Sequence, residues 1–178
     1  MKRIFQLFRN LYYKLALLCC GRAARNLAHR LFMDFMNQNN LRYRISNDKL
    51  FMDAWFEIFE GKRIQLHYDF NSDDSRIIIQ SIFITIETSQ IPQASLLISH
   101  LNTLLNQGKL MINFRNLNVY LELELNNAAI TLNPSIIDSF HHKAISMPSD
   151  FLWCFQQVFD INEDPVVVIG QLLRKYEP

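Results

Sequence analysis

Glycine is scarce in this chain of 178 residues: there are four, at positions 21, 61, 108 and 170. A phosphate-cradling loop needs several of them close together, so that backbone N–H groups can approach the anion. Neither a P-loop nor a G-x-G-x-x-G run occurs. Cysteine is equally thin, with Cys19 and Cys20 adjacent and Cys154 far away. That spacing gives neither a disulfide framework nor a C-x-x-C pair. H-E-x-x-H is also absent, so no zinc ligand set stands out. No stretch reaches the ~20 apolar residues of a membrane-spanning helix. Acidic residues are missing from the first 33 positions altogether, where Lys2, Arg3, Arg9, Lys14, Arg22, Arg25 and Arg30 give +7. The other 11 basic residues face all 17 acidic ones, so residues 34–178 carry −6. A basic front end on a mildly acidic body marks the front end as a surface contact. No cofactor and no metal is expected.

What is present suits one ordinary domain with a real core: 49% hydrophobic residues, 20% charged, and 14 Phe. The cysteine usage fits a reducing, cytoplasmic setting. The expected division is a basic helix over 1–21 and a single domain over 22–178.

In the front segment Ile4, Phe8, Leu11, Leu15 and Leu18 recur at helical spacing and form one apolar stripe. Lys2 and Arg9 fall opposite, Arg3 and Lys14 lie at the edge, and Gly21 is expected to break the helix. Such a helix can lie in an anionic membrane interface, with Lys2, Arg3, Phe8, Arg9, Leu11 and Lys14 as its contacts, leaving the protein peripheral to the membrane. The plain alternative is a helix packed on the body or on a partner, with its charges solvated. A cleaved targeting segment is a third reading: the Arg-rich, acid-free composition suits a transit peptide, whereas the apolar run Leu15 to Cys20 is short for a secretory signal.

Along the body, Ala24, Ala28, Leu31 and Phe35 predict an amphipathic helix ending at Asn37 to Asn40. The period then changes to two. Ala54 to Glu60 reads as a strand, followed by a turn at Gly61. In the next strand Ile64, Leu66, Tyr68 and Phe70 alternate with Arg63, Gln65, His67 and Asp69. Ile77 to Glu87 is apolar on both alternating sets, Ile77, Ile79 and Phe83 against Ile78, Ile82, Ile84 and Ile86. Pro92 opens a helix to Gln107 that turns Leu97, Leu101 and Leu104 inward. Leu110 to Phe114 and Asn118 to Leu125 form a second hairpin, with Tyr120, Glu122 and Glu124 facing out. Pro134 to Ile145 and Ser149 to Phe159 read as helices divided at Pro148, with Ser149 as an N-cap. Asp164-Pro165 starts a last helix through Tyr176.

The order of helix, three strands, helix, two strands, helix, with an extra helix at each end, resembles the type III secretion chaperone-like fold. Within that fold it resembles the YbjN-like family of bacterial proteins. The likeness runs over Ala24 to Phe159. It is most recognisable in Ala94 to Leu105, Gly108-Lys109, Leu110 to Phe114, and the alternation Leu121-Glu122-Leu123-Glu124-Leu125 before Asn133-Pro134. The resemblance implies an α+β domain with an antiparallel sheet. It also implies a small, often homodimeric, non-enzymatic module that holds a protein or peptide segment, with no catalytic residues to carry over. The basic front segment and the helix after Asp164 depart from the family pattern.

Catalytic readings of single residues compete poorly with structural ones. His141 and His142 diverge by about 100° on a helix, which suits a solvated face better than a shared ion. Cys154 sits within Phe151-Leu152-Trp153-Cys154-Phe155, a core-like run, so a nucleophilic role lacks the exposed thiol it needs. Glu122 and Glu124 share a strand face but suit any solvent-facing strand. Nucleic acid is not an expected partner, since the body is acidic and its strands carry no Lys/Arg stripe. The surplus apolar surface on Ile78, Ile82, Ile84 and Ile86, together with the Trp55 and Phe59 face, points instead to protein binding. An enzyme with an unfamiliar site would show a pocket holding convergent polar groups.

Overall fold

The computed structural model describes residues 9, 11–12, 21–48, 50–59, 61–73 and 76–176. It contains α1 (Gly21–Gln38), β1 (Tyr43–Ile45), β2 (Phe51–Phe59), β3 (Lys62–Asp73), β4 (Arg76–Thr85), a 3-10 turn at Thr88–Gln90 and α2 (Ile91–Leu104). Then come β5 (Lys109–Asn113), β6 (Asn118–Asn126), α3 (Asn127–Leu132), α4 (Ile136–Phe159) and α5 (Pro165–Tyr176). The class is α+β, and the strands form one six-stranded sheet in the order β1-β2-β3-β4-β6-β5. β1 and β2 pair antiparallel with Arg44 opposite Asp53, and β5 and β6 do so with Leu110 opposite Leu121. Side-chain bonds Arg76–Glu124, Gln80–Glu122 and Thr85–Asn118 run in opposite senses along β4 and β6, so that pair is antiparallel too.

Several expected boundaries shift by a few residues, the short helix α3 is not anticipated by the sequence, and two changes are larger. A four-strand run precedes α2, because Tyr43–Ile45 adds a three-residue strand too short to show a period. Pro148 does not divide the helix: α4 runs unbroken through it. Proline there removes one backbone donor, which costs about 3 kcal/mol. Burial of Phe140 and Ala144 before it and Phe151 and Phe155 after it offsets the loss. Ser149 accordingly caps nothing; its hydroxyl donates back to the Ile145 carbonyl at 3.1 Å.

The chain falls into two compact units. In the first (Met1–Trp55, His67–Ile79, Glu124–His142), Phe32 of α1 packs edge-on against Tyr68 and Phe70 of β3, with centroids 5.5 and 5.9 Å apart. Full burial of a Phe side chain contributes about 1.5–3 kcal/mol. The helix ends where Asn40 takes φ 53 and Leu41 N–H reaches the Met36 carbonyl at 2.9 Å. This six-to-one bond, with Asn40 bonding Asn37, closes a Schellman cap.

In the second unit (Phe56–Leu66, Gln80–Leu123, Lys143–Pro178), Phe83 of β4 meets Phe155 at 5.8 Å and Phe151 at 6.5 Å. Ala94, Leu97, Ile98 and Leu101 of α2 are buried, and α2 packs on β5 and α5. Asn102 of α2 covers the sheet edge, donating to the Leu110 carbonyl at 3.1 Å and accepting its N–H at 2.7 Å. Backbone groups that would otherwise offer a template for strand addition are thereby paired. Gly108 (φ 80) leads into β5, and a Cβ there would lie 2.7 Å from the Glu122 carbonyl oxygen and 2.6 Å from Leu123. Asp164 caps α5 by accepting the Val166 N–H at 2.7 Å.

Candidate protein-binding surface

β4 places the candidate residues. Its burial alternates strictly: Ile77, Ile79, Ser81 and Phe83 are buried, while Ile78, Ile82 and Ile84 on the other face are half-buried. A solvent-facing strand row ordinarily carries polar side chains. Here it carries three isoleucines, with Gln80 between them. Ile86 does not belong to that row. The strand ends at Thr85, Ile86 N–H turns to the Leu117 carbonyl at 2.9 Å, and the side chain is 3% exposed. Alternation in the sequence carried Ile86 onto the open face; the end of the strand removed it.

Trp55 stands on β2 at 43% exposure, with the Arg44 guanidinium 5.5 Å above its ring centroid. Nearby in the same unit the His67 ring stacks on Phe51 at 5.5 Å, and its Nδ1 lies 2.8 Å from Asp53 Oδ1. The side chain of Phe59 lies outside the described residues, as do Lys2, Arg3, Phe8 and Lys14. Arg9, Leu11 and Tyr12 are described: all three are helical and exposed, Leu11 at 55% and Tyr12 at 69%. The break expected at Gly21 also turns on residues outside the described set, and Gly21 itself is the first residue of α1.

Two residues expected on solvated faces are buried instead. Glu122 is 9% exposed, and its carboxylate accepts from Lys109 Nζ at 3.1 Å and Gln80 Nε2 at 3.1 Å. The charge is tolerated because both oxygens have donors. His141 is 7% exposed, with Nδ1 2.8 Å from the Tyr68 hydroxyl and Phe35 packed at 5.2 Å. Burial pushes its imidazole down to about 4; Asp138 opposes this and His142 adds to it. Burial also holds the Tyr68 phenol protonated and the imidazole neutral, so the two share one hydrogen bond whose direction follows the imidazole tautomer. His142 is exposed. No sequence signal separated the two histidines, since only the partner on β3 fixes which one turns inward.

Leu104, expected inside, is 39% exposed at the last position of α2. Cys154 is fully buried, and burial pushes its thiol up to about 12, with Asp150 adding to the effect. Such a thiol is a poor nucleophile and suits the core role. Beside Ile84, a cavity of about 270 Å³ is lined by Phe155 and Phe159 as well as Lys62, Arg63 and Asp160. Among the described residues, no three His, Cys, Asp or Glu side chains gather, and no helix is long and apolar enough to cross a membrane.

No known family's sequence pattern matches the chain, and no curated protein matches it. Among solved structures it is similar to YbjN from E. coli, at 12% identity and a TM-score of 0.47, over 66% of this chain and 84% of that one.

Proposed function

We propose that the chain is a non-enzymatic protein-binding module that holds a segment of another protein on the open side of β4. The observation that carries this reading is the half-buried row Ile78, Ile82 and Ile84, where alternation leaves isoleucine facing outward. Apolar side chains on an open sheet face gain by being covered, and for side chains already half-buried the gain is about 1 kcal/mol each. Trp55 is a second anchor of the kind that dominates binding energy at interfaces. A homodimer is the finer form of the same reading, with residues 22–178 acting as one domain. Size-exclusion with light scattering tests it through Ile82→Asp. The variant should keep its thermal midpoint and lose self-association or partner capture. A wild-type chain that is monomeric at micromolar concentration, with an Ile82→Asp variant that captures the same proteins, sinks it.

A second reading is attachment of residues 1–21 to an anionic membrane surface. The exposure of Leu11 and Tyr12 beside Arg9 favours it. Co-sedimentation with phosphatidylserine vesicles should exceed that with neutral vesicles and drop on Arg9→Glu. Indifference to both removes the idea.

A further inference from the structure

Within the second unit, α2, α4 and α5 line a cleft of about 390 Å³, at the small end of the range of about 300–1,000 Å³ for small-molecule sites. Leu101 and Leu104 come from α2, Met147 and Phe151 from α4, and Leu173 from α5. Leu101 is fully buried, whereas Leu104 and Leu173 stand 39% and 45% exposed at the opening. Leucines thus stand at the mouth of a cleft whose wall is mostly apolar, an arrangement that favours an apolar occupant.

Charge decides which apolar occupant fits. Among the described residues of the wall Asp150 is the one ionisable side chain, and its carboxylate is met by Lys175 Nζ at 2.9 Å. Arg174 turns its Nε back onto the Gly170 carbonyl at 3.2 Å. The cleft also lies by the last turns of α2 and α5, whose carbonyl ends carry partial negative charge. An anionic head group would meet those carbonyl ends and Asp150; a cationic one would have to displace Lys175. Neither sign is favoured. We propose that the cleft binds an uncharged aliphatic molecule, an alkyl chain of medium length with a neutral polar end. This site is separate from the row on β4 and does not depend on the protein-binding reading.

Titration calorimetry of the full chain with 1-hexanol, 1-octanol and 1-decanol tests it, with octanoate and octylamine as charged arms. Affinity should rise by up to about fourfold per added methylene and level off once the cleft is full. Octanoate and octylamine should bind at least tenfold more weakly than octanol. Leu104→Trp fills the mouth from a surface position and should cost at least tenfold, with its ligand-free thermal midpoint showing that the fold is intact. Lys175→Gln uncovers Asp150 and should move the preference toward octylamine. The proposal is overturned by any of four results: no saturable heat with octanol; a gain through decanol with no levelling, which signals partitioning; a charged arm binding as tightly as octanol; or unchanged binding by Leu104→Trp.

Discussion

Lowering the pH should destabilise this protein in part through one buried histidine. His141 is buried against Tyr68, and burial pushes its imidazole from 6.5 down to about 4. Below pH 6.5 the unfolded chain takes up a proton that the folded one refuses. The stability tied to the neutral ring is therefore complete above pH 6.5. It is lost as pH falls, and the loss is complete near pH 4. At about 1.4 kcal/mol per pH unit, the displacement is worth about 3 kcal/mol, of which about 2 kcal/mol is gone at pH 5. Acidic groups elsewhere also titrate in this range, so the comparison is with His141→Gln. Its amide can pair with the Tyr68 hydroxyl in either sense but does not ionise. Urea unfolding of both proteins at pH 7 and pH 5 gives the test. Wild type should lose about 2 kcal/mol more than the variant between the two. Equal losses, within about 0.5 kcal/mol, refute the burial argument.

Gly108→Ala should destabilise by at least about 2 kcal/mol, since it combines positive φ with a 2.7 Å approach to the Glu122 carbonyl; a thermal midpoint shift under 2 °C refutes it. Ser81→Ala should stabilise by about 1 kcal/mol, because the fully buried Ser81 hydroxyl has no hydrogen-bond partner among the described residues. Chemical denaturation reads the sign, and a loss of stability means the hydroxyl contributes after all. In a Cys19→Ser, Cys20→Ser background, Cys154 should resist a disulfide reagent at pH 8 until urea unfolds the chain. A thiol raised from 9.0 to about 12 has a thiolate fraction about a thousandfold smaller. Prompt labelling of the native protein contradicts this.

Much of the local structure was legible before any coordinates. The period of two in Ile64 to Phe70 and in Val119 to Leu125 reports strands with one buried face, and both rows are buried as expected. A helix ending at Asn37 to Asn40 and the start of α5 at Asp164-Pro165 follow from spacing and capping in the same way. That helix buries Ala28, Phe32 and Met36, however, whereas Leu31 and Phe35 of the expected stripe are half-buried. The front segment reads as a basic amphipathic helix, of which Arg9, Leu11 and Tyr12 are described and helical. Two elements misled. Pro148 carries a strong local signal for a break, yet packing on both sides of it outweighs one missing hydrogen bond. The strand Tyr43–Ile45 is defined by its partner Met52 to Ala54, so no local signal could find it.

The amino-acid sequence by itself determined most of where the chain is helical or extended, which rows are apolar, and that isoleucine is in surplus on β4. Those are properties of neighbours three, four or two residues apart. Tertiary structure decided that β4 lies beside β6, that Ile86 is buried while Ile82 is not, and that Glu122 and His141 are enclosed. It also gathered Leu104, Met147 and Leu173 around one cleft. Those depend on pairings between residues tens of positions apart. A periodic pattern shows that a face must be covered, but it does not show by what.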